Sequence, residues 1–441
     1  MSPARLVVGA ALASALMFAL VACAQPEAPD EAAEYGPAPQ LNEPESGLLP
    51  VINTARPVGW AEGAAPTAPE GFVVTRYAEG LEHPRWLYVL PNGDVLAAES
   101  STRRASGDGL MSWIKNQVQR GAGALNGSAD RITLLRDSDG DGAADVRNVF
   151  AHGLNQPFGM ALIGEDFYVA NTDALVRFAY SDGARRVNGA GEAVLALPHR
   201  EGDNGHWTRN LIASADGAKL YIAIGSASNI ADYGMEAEEG RAAIWEYDVA
   251  SGEARVFASG LRNPVGMGFQ PMTGALWVSV NERDMLGEQL APDYMTSVRE
   301  GGFYGWPYSY FGSHVDERVS PQDAELVARA IAPDFALGAH TASLGLNFYS
   351  AEAFPARYFG GAFVGQHGSW NRRERSGYKV VFVPFDDGAP QGEVEDFLTG
   401  FLNARGEAQG RPVGVVTDAS GALLVADDVG DIIWRVAYAP S

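Results

Sequence analysis

One piece of punctuation recurs along this chain and limits what it can fold into. GLRNPVGMGF, Gly260 to Phe269, opens with Gly-Leu, places Arg262 and Asn263 next, ends its turn at Pro264 and runs on as an apolar strand. The same order appears in GLEHPRWLYV from Gly80, GLNQPFGMAL from Gly153 and GRPVGVV from Gly410. Turn-then-strand units begin near Gly80, Gly153, Gly205, Gly260, Gly338 and Gly410, at intervals of about 50 to 80 residues. Most continue into a second strand such as DVLAAES, DFYVANT, KLYIAIG, ALWVSVN or LLVADDV. These runs are β-branched and aromatic, separated by turns such as Pro91-Asn92-Gly93-Asp94, and long helical periodicity is nearly absent. Six units of about four strands predict an all-β, six-bladed β-propeller. Ile432 to Tyr438 is expected to pair with Phe72 to Tyr77 and close the ring. A β-sandwich or two stacked barrels is the competing arrangement. The clearest helical stretch is Met111 to Arg120, inside an inserted loop from about Ser101 to Ala129.

The N-terminus follows different rules. Residues 1–22 carry Arg5, an apolar run and then Leu20-Val21-Ala22-Cys23. That order reads as an export signal with a lipobox, and the run is short for a membrane span. Cys23, the only cysteine of the chain, is the expected lipidated N-terminus of a bacterial lipoprotein, anchored to the membrane and facing the periplasm. An ordinary signal peptide is the alternative. Either way no disulfide can form within one chain, so stability must come from the core. Residues 23–70 are rich in Pro, Glu and Ala and are expected to be a disordered tether. Residues 71–441 form the propeller domain.

In a propeller the first strand of each blade lies nearest the axis, so the residues just before it rim one end of the central channel. His83 and Arg85, Asn155 and Gln156, His206 and Arg209, Arg262 and Asn263, His340 and Thr341, and Arg411 are therefore expected around one funnel. The net charge of −23 repels phosphate backbones and excludes nucleic acid as a partner. Any anionic ligand needs local arginines. Arg262 supplies a planar cation suited to a carboxylate, and Arg372 and Arg411 add charge from the last two units. His206 offers an imidazole at the start of a strand, where it can take a proton from a hydroxyl. DSDGDGAAD, Asp137 to Asp145, sets Asp137, Asp139, Asp141 and Asp145 in a glycine-bent loop suited to a structural Ca²⁺. Its flanks look like strands, and its twelfth position is Asn148, so it is not an EF-hand.

HWTRNLI with its ADGAKLYIAIG strand, GLRNPVGM, the YGWP turn and GRPVGV together resemble the quinoprotein glucose/sorbosone dehydrogenase family. ERDMLGEQLAPDY, FYGWPYSY and GSWNR are most similar to its sorbosone-dehydrogenase-like branch. The resemblance covers Gly71 to Tyr438. It implies a six-bladed propeller holding pyrroloquinoline quinone (PQQ) over a Ca²⁺ in the funnel. By the same resemblance His206 matches the general base, and Arg262 and Asn263 match a cofactor-facing pair. Arg411 stands where the family has two quinone-gripping arginines, and Arg372 near its lysine-containing motif. Glu282 and Arg283 lie by the turn whose carbonyls meet the cofactor calcium, although the Gly-Pro of the glucose enzymes is missing here. The expected reaction is oxidation of an aldose or aldehyde, with electrons leaving to an external cytochrome or membrane quinone. Two other classes compete: a calcium-dependent lactonase-like hydrolase, and a non-catalytic binding propeller.

Overall fold

The computed structural model describes residues 31–45, 51–103, 116–117, 120–121 and 127–440. Cys23 and its signal lie outside them, as does most of the Ser101 to Ala129 insertion. Positions 116, 117 and 120 of the expected helix are described and are helical.

Among the described residues, six antiparallel sheets of four or five strands follow one another in chain order. Blade 1 begins with Pro84–Val89, blade 2 with Met160–Ile163 and blade 3 with Arg209–Ala213. Blades 4, 5 and 6 begin with Asn263–Phe269, Ser343–Phe348 and Pro412–Thr417. Each of these strands touches the first strand of the next blade, and Pro412–Thr417 returns to Pro84–Val89. The expected closure is present: Phe72–Glu79 pairs with Ile432–Tyr438, Phe72 opposite Tyr438 and Glu79 opposite Ile432. The chain is a six-bladed β-propeller.

The repeat works because alternate residues of a strand face opposite neighbours. In Val95–Glu99, Val95 and Ala97 pack toward blade 6, while Leu96 and Ala98 pack toward blade 2. Among the described residues six buried clusters result, one between each pair of adjacent blades. The interface of blades 5 and 6 is the most aromatic, with Phe363 and Phe397 at 4.5 Å between ring centroids. Burying each large side chain stabilises the ring by about 1.5–3 kcal/mol, and no blade can bury both of its faces alone.

The described part of the segment expected to be a free tether is docked on the ring, and this corrects the reading of residues 23–70. Tyr35–Gly36 adds a fifth strand to blade 4, with Tyr35 opposite Leu337. Gly338 receives the Tyr35 ring where a Cβ would meet it at 2.8 Å. Further on, the Asn53 amide donates to the Trp370 carbonyl (2.7 Å) and the Val58 amide to the Ala408 carbonyl (2.8 Å). The Trp60 indole donates to the buried Asp427 carboxylate (2.7 Å). Proline-rich composition reports few apolar residues. It does not report that a handful of anchors and backbone donors can be satisfied by loops of another element.

Candidate active site

The inner strands all start at the same end of the ring, and the second strands end there. Two polar clusters form at that rim, and the turns before the first strands supply only part of each.

The first spans blades 3, 4 and 5 around Asp284. Its carboxylate takes hydrogen bonds from Arg262 Nη2 (3.1 Å) and Asn371 Nδ2 (3.0 Å), with His340 Nδ1 at 3.5 Å. Its amide donates to Asn229 Oδ1 (2.9 Å). Burial alone would push its pKa up. The His340 hydrogen bond and the charges of Arg262, His340 and His206 overcome that and hold it at about 2. His340 answers in the opposite sense: burial lowers its pKa, but Asp284 and the Gly287 carbonyl (2.8 Å from Nε2) carry it above the usual value. His206 directs Nδ1 at the Ser226 carbonyl (3.1 Å) and hydroxyl (3.0 Å). A carbonyl can only accept, so Nδ1 carries the hydrogen and Nε2 is the basic nitrogen. Asn263 and His206 close on Gly225 from two sides: a Cβ there would lie 2.4 Å from Asn263 Oδ1 and 2.6 Å from His206 Cβ.

The second cluster spans blades 5, 6 and 1 around Asp428. Arg85 pairs with it, His367 Nε2 lies 2.9 Å from its Oδ2, and His83 Nε2 lies at 3.4 Å. Burial again opposes ionisation, but the two histidines and Arg85 hold this carboxyl far below its usual range. His367 is lowered to about 4 by burial, with Arg411 and Arg85 adding to the effect against Asp428. Arg411 has neutral partners: the Ala55 carbonyl (3.3 Å), the Tyr378 hydroxyl (3.4 Å) and the Tyr378 ring (5.1 Å). The guanidinium of Arg85 lies 5.7 Å from the ring of Trp207, the residue after His206, so the two clusters meet across one channel.

His206, Arg262 and Asn263 are therefore brought together as the repeat predicts, with Arg411 on the opposite bank. Other expectations need correction. Arg209 does not face the funnel; it is fully buried and donates to the carbonyls of His206 (2.9 Å), Thr208 (2.9 Å) and Pro198 (2.7 Å). Arg372 is buried with Glu34 in a two-pronged ion pair (2.7 and 2.8 Å). Its charge is neutralised there, so it holds the N-terminal arm instead of an open anion site. The Glu282 carbonyl accepts from Arg262 Nη1 (2.6 Å), while the Arg283 side chain turns away to a buried pair with Asp316. Asp137, Asp139 and Asp141 bring oxygens within 4.8 Å of one another, whereas Asp145 is taken up by Ser138. That loop joins the third and fourth strands of blade 1, at the end of the ring opposite the rim.

Sequence reasoning named none of Asn229, Asp284, His367, Asn371 and Asp428 individually. Three of them follow the ends of second strands, in VNERD, GQHG and VADD. A polar run there was the available signal, because a second strand returns to the rim from which the first one left.

A family model described as TrAA12-like matches residues 66–300 and 309–439. The iodide structure of the Trichoderma reesei carbohydrate-active enzyme of family AA12 aligns with a TM-score of 0.67 at 18% identity, over 89% of this chain and 100% of that one. The holo form of the pyranose dehydrogenase PQQ domain from Coprinopsis cinerea aligns with a TM-score of 0.66 at 21% identity, over 87% and 100%. An uncharacterized protein of Borreliella burgdorferi is 28% identical over 299 residues, 65% of this chain and 77% of its own length. At such identities the structural likeness speaks for the fold, and function has to be argued from the site. The family model, however, runs through all six blades, and on that match the chain belongs to the TrAA12-like family.

Proposed function

We propose that the chain is a PQQ- and calcium-dependent dehydrogenase of an aldose or aldehyde. The observation that carries this reading is the unequal distribution of unmet hydrogen bonds at the rim. On the bank of Asp284, the buried oxygens Asn263 Oδ1, Asn371 Oδ1 and Glu282 Oε1 have no donor among the described residues. On the other bank, the buried nitrogens Arg411 Nε and Arg85 Nε have no acceptor among them. Orphaned buried polar atoms are rare and costly. Oxygens beside an ionised carboxylate suit a hard cation such as Ca²⁺, and guanidinium N–H groups suit the carboxylates of PQQ. The pyranose dehydrogenase domain of Coprinopsis cinerea is described as a PQQ domain, and a calcium structure of the Trichoderma reesei enzyme also aligns, with a TM-score of 0.66.

PQQ, when bound, would supply the hydride acceptor, and Ca²⁺ the Lewis acid beside it. The chain does the rest. His206 Nε2 takes the proton of the substrate hydroxyl, and the Ser226 carbonyl stabilises the resulting imidazolium through Nδ1–H. Ionised Asp284 lies close enough to favour the same charge. Arg262 and Asn371 fix Asp284 in place, and Arg411 provides the positive bank. The sorbosone-like branch remains our reading of ERDMLGEQLAPDY and GSWNR. The Asp137, Asp139 and Asp141 loop suits a separate structural cation. We place the protein outside the cytoplasm, anchored through Cys23 and passing electrons to a cytochrome or membrane quinone. Transfer of the full chain, but not of Cys23→Ser, into a detergent phase is the expected result, and equal partition would sink the anchor.

Reconstitution tests the reaction. Adding PQQ and Ca²⁺ to apo-protein is expected to give saturable cofactor binding and dye reduction with aldoses. The cluster of Asp284, Asn229, Asn263 and Asn371 also favours a second reading, a calcium-dependent lactonase. Lactone hydrolysis with Ca²⁺ alone, and no uptake of PQQ, would replace the first reading with the second.

A further inference from the structure

Beside His206 the rim opens into a cleft of about 300 Å³ that none of these roles uses. Thr102 closes it from blade 1, Asn155 and Thr172 from blade 2, and Asn204, Gly205 and Trp207 from the approach to blade 3. At about 30 Å³ per water molecule it has room for roughly ten, close to the non-hydrogen atom count of one hexose ring. The His206 side chain is not among its walls. The cleft is therefore not where the proton is taken, but where the rest of a substrate would lie.

Its walls mix charged and neutral polar groups. Arg200 lies 3.9 Å over the Tyr233 ring, Tyr233 donates to Asp203 (2.7 Å), and Arg103 pairs with Asp130 (2.9 Å), while Asp173, His199 and Glu201 also line it. Charged and amide groups together suit a ligand rich in hydroxyls. Among the described residues, Asn155 Oδ1 is buried without a donor, and so is Oδ1 of Asn171, the residue before Thr172. Such acceptors call for a ligand that brings O–H groups. Trp207 contributes an aromatic wall, a surface suited to the C–H face of a ring. The cleft is also fixed relative to the proposed base. Buried Arg241 donates to Asn204 Oδ1 (2.8 Å), the Asn204 carbonyl (2.8 Å) and the His206 carbonyl (2.9 Å), so one guanidinium sets both.

We infer that this cleft is a subsite for a second, non-reacting sugar unit, so that the substrate is a disaccharide or longer aldose whose reducing end reaches His206. The inference rests on the reading of His206 as the base. It is tested with glucose, maltose, cellobiose and lactose in two ways: steady-state oxidation by the PQQ- and Ca²⁺-loaded enzyme, and saturation-transfer NMR on the protein without cofactor. At least one disaccharide is expected to show a KM about tenfold below that of glucose. Asn155→Leu, which removes the acceptor and keeps the volume, is expected to cut the disaccharide-to-glucose ratio of kcat/KM about tenfold, mainly through KM. An active enzyme with equal KM for glucose and all three disaccharides would overturn the subsite and leave His206 untouched. A protein that oxidises no sugar, yet binds a disaccharide that Asn155→Leu no longer binds, would uphold the subsite and sink the dehydrogenase reading. Neither oxidation nor binding would overturn both. The comparison of sugars on the unaltered protein decides the matter even if the variant does not fold.

Discussion

His206→Ala is expected to lower kcat by about 10²–10⁴-fold in cofactor-loaded protein while leaving the affinity for PQQ within a factor of about two. That loss corresponds to about 3–5 kcal/mol of transition-state stabilisation. The size follows from the role: a positioned base is removed, and water in a half-buried site replaces it poorly. The specificity follows from geometry. The Nδ1 side of the ring is held by Ser226 at 3.0 and 3.1 Å, so the proton has to be taken by Nε2. The cofactor-facing groups proposed here, Arg411 and the acceptors around Asp284, are anchored by hydrogen bonds from residues other than His206. Near-full turnover in loaded His206→Ala protein would move the base elsewhere on the rim. A parallel collapse of PQQ affinity would make His206 a cofactor ligand instead.

The ring itself was legible because it is a local rule repeated. A glycine turn, a polar pair and an apolar strand can be read in any window of ten residues, and closure by Phe72–Glu79 follows from the strand left over at each end. The site was legible only where it sits inside that rule. Arg262, Asn263 and His206 stand at the turn, so the repeat places them at the rim. Asp284 and Asp428 sit one strand later, where a carboxylate is indistinguishable from solvated surface until the arginines and histidines of other blades are known to surround it. Arg209 shows the converse. It stands in a rim position, yet its guanidinium fits three carbonyls inside the ring, and no spacing rule separates an inward arginine from an outward one. The N-terminal arm was misread for a third reason. Its composition is that of a linker, but one of its anchors is a buried charge, Glu34, whose partner lies 338 residues away.

Glu34→Gln is expected to destabilise the propeller by about 3–5 kcal/mol, the cost of leaving Arg372 buried without its counter-charge. Both side chains are only 5% exposed, so solvent cannot take over the role of the partner. The Glu34 carboxylate also accepts from the Ala339 amide (3.1 Å), next to His340, and Arg372 follows Asn371. His340 and Asn371 both contact Asp284. The pair therefore clamps the two residues that flank the candidate cation bank, and turnover should fall together with stability. Denaturant unfolding with PQQ absent measures the first effect without the second. Replacing both partners by methionine should recover most of the lost stability, because apolar pairs of similar volume commonly equal a buried ion pair. The double variant also decides what Arg372 is for. If Arg372 only holds the arm, the double variant folds and binds PQQ with nearly unchanged affinity. If it folds but no longer binds PQQ, then Arg372 grips the quinone as the family resemblance implied, and the buried pair with Glu34 has to open before the cofactor can enter.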